Sequence, residues 1–420
     1  MKLPEAENAA YDTLRRILTE GAYSSVELDR TLDHVTESSR AKVTALVYGV
    51  LDKNVTLDYI LSALAQKRPK NAVAVLIKLG LYEMLYGNTP VHAAADKCVE
   101  LAKARVRGAD KFVNAVLRAA PSVSLPSGND ATALSVRYSR PEWLVKRMLA
   151  DFGEVKTISI LGAKLPEKTH IRRNSRKISE TEFASIVERL GEFERTERGY
   201  YVTRGTLKAL DPSVYTAQSL SSIYAAEAYI KGLKGNIDIL DACAAPGGKS
   251  VYMSELLPDA HITACDVHEH RVRLIKAYAA RMGASGISAI VADARSIPDD
   301  KKYDLAVCDV PCTGSGLLCT SPDILIGKKD GDVTALSALQ REILEAVSSR
   351  VKRGGRLVYS TCSLLTEENE SITDAFALAH PEFSPITEKT GRGSENDGKI
   401  RFSPDTDGCD GFYIARFMRN

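Results

Sequence analysis

Long apolar runs, an export signal and an excess of charge of either sign are all absent from this sequence. The most apolar segment, residues 71–87, falls short of eighteen uninterrupted apolar residues because Lys78 and Glu83 interrupt it, so we expect no membrane span. The N-terminal residues carry charges within their apolar part, unlike a signal peptide. Lysine and arginine number 56, against 54 aspartates and glutamates. Any basic surface that binds nucleic acid must therefore be local.

Cysteine is also sparse, with eight residues spread over a chain of 420. They suggest no disulfide framework, and without an export signal the thiols are expected to stay reduced. A chain of this length exceeds what one hydrophobic core supports, so the sequence predicts several domains. These features are typical of a cytoplasmic multidomain protein, which we expect to act as a monomer.

The hydrophobic pattern divides the chain into three predicted domains. Residues 1–122 show apolar side chains at helical spacing throughout, as in the segment 41–64, and predict an all-helical bundle. A stretch rich in Pro, Ser and Gly at 121–133 marks a boundary. Residues 134–210 mix helical and strand patterns and predict a small α/β region. Its elements are a helix between Pro141 and Gly153, strands at 170–175 and 199–205, and a helix at 181–191.

Residues 211–420 alternate short runs rich in Val and Ile with amphipathic helical patterns. This alternation is typical of βαβ units, in which a parallel sheet is covered by helices on both faces. The sequence therefore predicts a doubly wound α/β domain. The predicted strands lie within 236–245, 261–267, 287–294, 303–310, 355–363 and 411–417.

Open α/β sheets bind ligands at the carboxyl ends of their strands, so the residues of a binding site are expected there. The first strand runs into DACAAPGGKS, residues 241–250, where small residues and two glycines allow a ligand close to the backbone. A phosphate-binding P-loop would need a glycine at Cys243, and the dinucleotide pattern G-x-G-x-x-G is also absent. A tight turn without a ligand remains an alternative for this stretch alone.

Aspartates follow at the next two strand ends. Asp266 ends the second strand and lies where such folds bind the hydroxyls of a ribose, and Asp293 follows the third, where it could accept a hydrogen bond from an adenine amino group. A single aspartate of this kind is more often a helix cap than a ligand. Suitable residues at three successive strand ends favour a cofactor that contains adenosine and no pyrophosphate.

Two cysteines occupy the fourth and fifth strand ends, Cys312 in DVPCTGSG and Cys362 in YSTCS. Three interpretations compete. Free cysteines are usually small buried residues, as we expect for Cys98, Cys265 and Cys308. Zinc would need paired spacings, which the set 308, 312, 319 and 362 lacks. The third interpretation is a nucleophilic thiolate that faces the cofactor cleft.

The methylation of carbon 5 of cytosine needs a nucleophile such as a cysteine thiolate. A thiolate that adds to ring carbon 6 makes carbon 5 nucleophilic enough to accept a methyl group, and an acid near ring nitrogen 3 assists the addition. A base must then remove the hydrogen from carbon 5 before the thiolate leaves. Asp309, Cys312 and Cys362 supply suitable groups at neighbouring strand ends, and the glycines after Cys312 are expected to let a flipped base come close.

The blocks at 241–250, 309–318 and 355–370 resemble three signature blocks of the RNA 5-cytosine methyltransferases. Residues 41–61 and 91–118 resemble the NusB-type helical domain that precedes the catalytic domain in the Sun branch of that family. The resemblance covers nearly the whole chain. It implies a Rossmann-like methyltransferase domain that uses S-adenosylmethionine, preceded by an all-α NusB-like domain and a small α+β region.

The resemblance also implies roles for individual residues. Cys362 would be the nucleophile, Cys312 would assist release of the product, and Asp309 would lie between the cofactor and the target cytosine. Asp266 would bind the ribose and Asp293 the adenine. The cofactor loop would consist of Cys243, Ala244, Ala245, Pro246, Gly247, Gly248 and Lys249.

The Sun branch implies a cytosine in small-subunit (16S) rRNA as the substrate. Alternatives are the same chemistry on tRNA or DNA, or an RNA-binding assembly or antitermination factor whose methyltransferase fold is inactive. Basic segments at 67–70, 103–111 and 170–177 are candidates for RNA contacts, although such runs are often only solvated faces. Two departures from the family pattern are Gln218-Ser219 in place of Gln-Asp, and the absence of arginines before Pro322-Asp323.

Overall fold

A computed structural model describes residues 3–87, 89–298 and 300–420 of the chain. Its packing separates two compact units. The first contains the residues up to Gly162 together with Ser321–Lys329, and the second contains Ala163–Thr320 and Asp330–Asn420. This division is coarser than the three domains predicted at 1–122, 134–210 and 211–420, whose boundaries stay a prediction.

The first unit is helical, as the sequence predicts. Its core includes Val43, Leu46, Val47, Val50 and Leu51, which share one buried face. The helices are α1 Glu5–Glu20, α2 Ser24–Leu32, α3 Glu37–Asp52, α4 Asn54–Leu64, α5 Asn71–Leu85, α6 Val91–Arg105, α7 Asp110–Ala119, α8 Ala131–Tyr138 and α9 Glu142–Gly162. Short 3₁₀ helices lie at Ala120–Ser122 and Pro322–Leu325.

Gly153 interrupts α9. Its φ of 73° lies in the left-handed region, so residues 142–162 form two helical stretches that meet at a kink. The sequence prediction of a helix that starts after Pro141 and stops at Gly153 is therefore confirmed, although a second helical stretch follows at once.

The second unit contains a small antiparallel sheet with strand order β2-β3-β1-β4. A core of Ile171, Phe183, Val187, Tyr200 and Val202 joins this sheet to the helix after β1. The elements are β1 Thr169–Arg173, α10 Glu180–Leu190, β2 Phe193–Thr196, β3 Gly199–Val202, α11 Arg204–Ala209 and β4 Tyr215–Ala217. The strands and helix predicted in this region are all present.

The larger sheet of this unit confirms the doubly wound α/β fold. Along its main path the order is β11-β12-β13-β9-β8-β5-β6-β7, with β10 paired to β13. Strands β5 to β9 are parallel, and β13 joins β9 in the antiparallel sense. The elements are α12 Leu220–Ile230, β5 Asp238–Asp241, α13 Gly248–Leu256, β6 His261–Asp266, α14 Glu269–Met282, β7 Ile287–Val291, β8 Tyr303–Asp309, α15 Asp330–Ser348, β9 Val351–Thr361, α16 Glu370–Ala379, β10 Phe383–Pro385, β11 Ser394–Asn396, β12 Lys399–Phe402, α17 Pro404–Asp407 and β13 Phe412–Arg419.

The chain reverses direction across the sheet between β5 and β8. Strands β6 and β7 extend the sheet on one side of β5, whereas β8 and β9 extend it on the other. Ligands of open α/β sheets bind at such a switch point, beside the carboxyl ends of the strands. The predicted site residues therefore belong to one edge of the sheet.

Candidate active site

The loop between β5 and α13 lies at the switch point and leads into the N-terminus of α13. Gly247 has a φ of 104°, and an added Cβ would lie 3.3 Å from Ile275, so glycine suits both the turn and the packing. The helix opens at Gly248. Its first amides have no partners within the helix and can face an anionic or polar ligand.

Asp241 lies beneath this loop, and the sequence reasoning assigned it no role. Its carboxylate is buried and accepts a hydrogen bond of 2.5 Å from Ser250 Oγ. Burial raises the pKa of Asp241 to about 6, which the nearby charge of Asp309 reinforces. The last residue of β5 is thus an acid that ionises less readily than usual.

Asp266 ends β6 and is buried at the side of the cleft. Its carboxylate lies 2.9 Å from Arg271 Nη1 and accepts a hydrogen bond of 3.0 Å from the His268 amide. A second nitrogen of Arg271 donates to the Ala245 carbonyl oxygen at 3.1 Å. Arg271 therefore links the cofactor loop to the predicted ribose acid, a connection that the sequence reasoning missed.

Asp293 follows β7 and has a similar arginine. The amide and the guanidinium of Arg295 both donate to its carboxylate, at 2.9 Å and 3.0 Å respectively, and these bonds lower the pKa of Asp293. Arg295 also lies 2.8 Å from Glu342. Arg271 follows Asp266 by five residues and Arg295 follows Asp293 by two. This spacing is the feature of the sequence that could have indicated both ion pairs.

The two cysteines meet at the ends of β8 and β9. Cys312 Sγ and Cys362 Sγ lie 3.1 Å apart, within hydrogen-bond distance for sulfur. The hydrogen bond to Cys362 raises the pKa of Cys312 well above its usual value, and burial and the charge of Glu368 act in the same direction. Cys312 is thus held as a thiol beside Cys362.

Asp309 and Lys249 form an ion pair in the same cleft, with Oδ2 and Nζ 2.7 Å apart. Burial opposes the charge of Lys249, but the attraction of Asp309 is stronger and raises the pKa of the lysine. The other carboxylate oxygen of Asp309 accepts from Ser360 Oγ at 3.0 Å, and Ser360 in turn lies 2.5 Å from Tyr229 Oη. This chain of contacts fixes Asp309 at the end of its strand.

Four other cysteines, at 98, 265, 308 and 319, do not line the cleft. Cys98, Cys265 and Cys308 are fully buried, as predicted. Cys319 contacts the Ala163 carbonyl oxygen at 3.4 Å. Within residues 3–87, 89–298 and 300–420 there is no group of three or more His, Cys, Asp or Glu side chains arranged to hold a metal ion.

Gly314 and Gly316 are required by the backbone of their own loop. Gly314 adopts a left-handed conformation with a φ of 75°. At Gly316, an added Cβ would lie 2.2 Å from the Gly411 carbonyl oxygen and 2.8 Å from that of Cys362. The Gly316 amide donates to the Cys362 carbonyl oxygen at 2.8 Å. Gly316 therefore permits close backbone packing between loops, and the approach of a base at these glycines stays a prediction.

A cleft of about 340 Å³ brings the predicted site residues together. This volume suits a small-molecule cofactor. Of the predicted residues, the cleft is lined by Cys243, Ala245, Lys249, Asp266, Asp293, Asp309, Cys312 and Cys362. Ala244, Pro246, Gly247 and Gly248 belong to the loop but do not line it, and Arg271, Arg295 and Phe412 line it without having been predicted.

The basic segment 170–177 is partly structural, because two of its arginines are paired with acids of the protein. Arg172 is buried, lies 2.8 Å from Glu255 and donates to Gln218 Oε1 at 2.7 Å. Arg173 pairs with Glu180 at 2.8 Å. Arg172 therefore adds nothing to a basic surface. The hydrogen bond from Arg172 also gives Gln218 a structural role, because the side chain of Gln218 holds Arg172 in place.

No helix in the part of the chain that the structure describes is long and apolar enough to cross a membrane.

Comparisons with known proteins agree with the resemblance inferred from the motifs. Residues 229–418 match the family described as 16S rRNA methyltransferase RsmB/F, and residues 4–121 match the NusB family. Two crystal structures share the fold. One, of PH0851, is 24% identical, covers all of both chains and has a TM-score of 0.84. The other, of a methyltransferase homologue from Pyrococcus horikoshii, is 26% identical, covers 70% of this chain and 100% of its own, and has a TM-score of 0.60.

A curated relative from Bacillus subtilis is named probable ribosomal RNA small subunit methyltransferase B. It is 33% identical to this chain over 448 aligned positions, which cover 100% of both proteins. Similarity of this degree over the full length, together with the two family matches, confirms the relationship that the motifs suggested. The chain belongs to the RsmB/F family of 16S rRNA methyltransferases.

Proposed function

We propose that the protein transfers a methyl group from S-adenosylmethionine to carbon 5 of a cytosine in 16S rRNA, through a covalent bond between Cys362 and the base. The observation that carries this proposal is the contact between Cys312 and Cys362 in a cleft that also holds the Asp309–Lys249 pair. One of these thiols can attack the base and the other can help to release it.

The residues of the cleft fit an adenosine cofactor. Asp266 and Asp293 present carboxylates at successive strand ends, and Gly247 allows the turn that leads into α13. Bound here, S-adenosylmethionine supplies an electrophilic methyl group. Arg271 and Arg295 balance the two carboxylates and must share them with the hydroxyl and amino groups of the ligand.

Cys362 is the better nucleophile of the two. Cys312 keeps its proton and can donate a hydrogen bond to Cys362. Cys362, as its thiolate, adds to carbon 6 of the cytosine. Asp309 and Lys249 offer the ring an acceptor and a donor side by side, so the electrons displaced toward nitrogen 3 are stabilised and carbon 5 becomes nucleophilic.

Release follows from the same pair of thiols. Once Cys362 is bonded to the base, its sulfur carries no negative charge and no longer accepts the hydrogen bond from Cys312. Both had kept Cys312 protonated. The pKa of Cys312 is then expected to fall, so that a thiolate can form there and assist the loss of the carbon-5 hydrogen and of Cys362. The order of the two roles is therefore set by which thiol is deprotonated first.

Small-subunit rRNA is the proposed substrate because of the family to which the chain belongs and the names of its relatives. The NusB-type segment adds a helical unit that carries the basic segments 67–70 and 103–111. An assembly factor with an inactive fold would have no need for two thiols and an ion pair in one cleft.

The test separates the roles of the two cysteines. Cys312→Ala should accumulate a covalent protein–RNA complex that survives denaturing gel electrophoresis, because Cys362 attacks and cannot leave. Cys362→Ala should form no complex and transfer no methyl group, and Cys319→Ala, which changes a cysteine outside the cleft, should behave as the wild type. A complex in Cys362→Ala instead would reverse the two roles. Full methyl transfer by Cys362→Ala would refute the proposal, and bisulfite sequencing of the RNA would identify the cytosine.

A further inference from the structure

Glu368 is a fully buried carboxylate that does not line the cleft. It accepts four hydrogen bonds. Oε1 accepts from the Thr313 amide at 2.8 Å and from Gln340 Nε2 at 3.0 Å, and Oε2 accepts from Thr313 Oγ1 at 2.6 Å and from Ser363 Oγ at 2.5 Å. A buried charge is tolerated only with such compensation, and here every donor is supplied by the protein.

The donors come from both cysteine loops. Thr313 directly follows Cys312, and Ser363 directly follows Cys362. Gln340 extends the cluster, since its Nε2 also donates to the carbonyl oxygen of Pro311, the residue before Cys312, at 2.9 Å. One carboxylate is therefore bonded to residues adjacent to each thiol.

The chain reaches this position through a short 3₁₀ helix, Thr366–Glu368, that follows the Cys362 loop. Tyr359 Oη donates to the Glu368 carbonyl oxygen at 2.5 Å and so fixes the backbone of Glu368 against β9. The backbone of Glu368 is thus fixed to β9, and its carboxylate is bonded to the loop that follows β8, the neighbouring strand. A shift of either loop would break at least one of these bonds.

The charge of Glu368 also acts on Cys312. It raises the pKa of this thiol, after the hydrogen bond to Cys362 and burial. The position of Glu368 therefore favours a protonated Cys312.

We propose, on the basis of the function proposed above, that Glu368 is a positioning residue whose carboxylate ties the loops of Cys312 and Cys362 together and so keeps the two thiols in contact. It does not line the cleft and acts through Thr313 and Ser363. The distance between the two thiols is expected to depend on this support. A displacement of reacting groups by about 1 Å costs about 100-fold in rate.

The first measurement needs no RNA. Diamide removes one hydrogen from each of two thiols as a sulfur–sulfur bond forms and is itself reduced to the hydrazine, and peptide mass spectrometry follows the Cys312–Cys362 product. Glu368→Ala should form this disulfide about tenfold more slowly than the wild type. Glu368→Gln should stay close to the wild type, because its amide can accept from the Thr313 amide and Gln340 and donate to the two hydroxyls.

Glu255→Gln is the matched control. Glu255 is also a buried carboxylate, bonded to Arg172 and Ser175, but it touches neither cysteine loop. This variant should form the disulfide at the wild-type rate. If Glu368→Ala is folded and also reacts at the wild-type rate, Glu368 does not position the thiols.

The second measurement is methyl transfer. In Glu368→Ala, kcat should fall about 100-fold while KM for S-adenosylmethionine is unchanged, and Glu368→Gln should recover most of the loss. A purely structural role would predict loss of folded protein without this split. If Glu368→Ala does not fold, Ser363→Ala and Thr313→Val each remove one donor and should slow disulfide formation; wild-type rates in both would overturn the proposal.

The proposed methyl transfer and the positioning role of Glu368 can be refuted independently of each other. If the wild type does not methylate RNA but Glu368→Ala slows disulfide formation, the positioning role stands and the proposed reaction is wrong. If the wild type methylates RNA and the thiols react equally in every variant, the reaction stands and the positioning role is wrong.

Discussion

At the scale of single residues, several buried groups hold protonation states that differ from those in water. His170 is an example outside the candidate site. Its Nδ1 lies 2.8 Å from the Gln218 carbonyl oxygen, which can only accept, so Nδ1 carries the hydrogen and Nε2 accepts from Thr196 Oγ1 at 3.0 Å. Burial lowers the pKa of His170 to about 4, and the nearby charge of Arg172 adds to this effect.

His170 should make stability depend on pH. Between pH 6.5 and about 4 the unfolded chain binds a proton at this histidine and the folded protein does not. The stability is therefore fully present above pH 6.5 and is lost as the pH falls, by at most about 3 kcal/mol. In His170→Gln, the free energy of unfolding from urea titrations should fall less between pH 7 and pH 4.5 than in the wild type.

Asp241 does not obscure this comparison. Burial raises its pKa to about 6, so its contribution to stability is present at low pH and is lost as the pH rises from about 4 to 6, opposite to that of His170. Both proteins contain Asp241, so its effect cancels in the difference between them. Parallel pH profiles for the wild type and His170→Gln would show that the histidine titrates normally in the folded state.

At the scale of elements, the site depends on how the loops after β8 and β9 pack against the start of β13. The Gly316 amide donates to the Cys362 carbonyl oxygen, and the Gly411 amide donates to the Gly316 carbonyl oxygen at 2.9 Å. An added Cβ at Gly411 would lie 2.6 Å from Leu364 Cδ2 and 2.9 Å from Gly316 Cα. Three loops thus approach one another at distances that only glycine allows.

Gly316→Ala should separate these loops. The new methyl group would lie 2.2 Å from the Gly411 carbonyl oxygen, so backbone must move, at a cost of about 1–3 kcal/mol in the free energy of unfolding. Methyl transfer should fall about 100-fold because Cys362 moves with its loop. Gly331→Ala is the control, since nothing lies within 4 Å of an added Cβ there. Equal activity in the two variants would contradict this account.

At the scale of the whole molecule, a net charge of +2 leaves RNA binding to local surfaces. The segments 67–70 and 103–111 belong to the helical unit, and Lys103, Arg107 and Lys111 are exposed there. The segment 170–177 contributes less than its sequence suggests because Arg172 and Arg173 are paired with acids. The helical unit is therefore the better candidate for the RNA surface.

Reversal of charge at Lys103, Arg107 and Lys111 should weaken RNA binding and reduce its dependence on salt. The affinity for S-adenosylmethionine, measured by calorimetry, should not change, because these residues lie in the helical unit and the cleft lies in the other. The control carries three reversals in the second unit, at Lys208, Lys234 and Arg353, and has the same net charge. Equal loss of RNA affinity in both would show that total charge matters and the helical surface does not.

The sequence by itself determined the order of elements and the edge at which the chemistry lies. Alternating strands and helices require a parallel sheet, and the carboxyl ends of parallel strands meet at one edge, so Asp266, Asp293, Asp309, Cys312 and Cys362 could be assigned to one cleft. Their roles in the reaction, which came from motif resemblance, stay predictions.

Only the tertiary structure decided which of these groups touch. Cys312 and Cys362 are 50 residues apart and meet because β9 lies beside β8, a neighbour relation that hydrophobic periodicity does not encode. Hydrophobic periodicity also does not encode the burial of Glu368 between the two cysteine loops, the burial of Arg172 or the packing of Gly316. Periodicity reports which face of an element is apolar, whereas a buried charge or a close backbone approach depends on partners that are distant in the chain and are brought together only by folding.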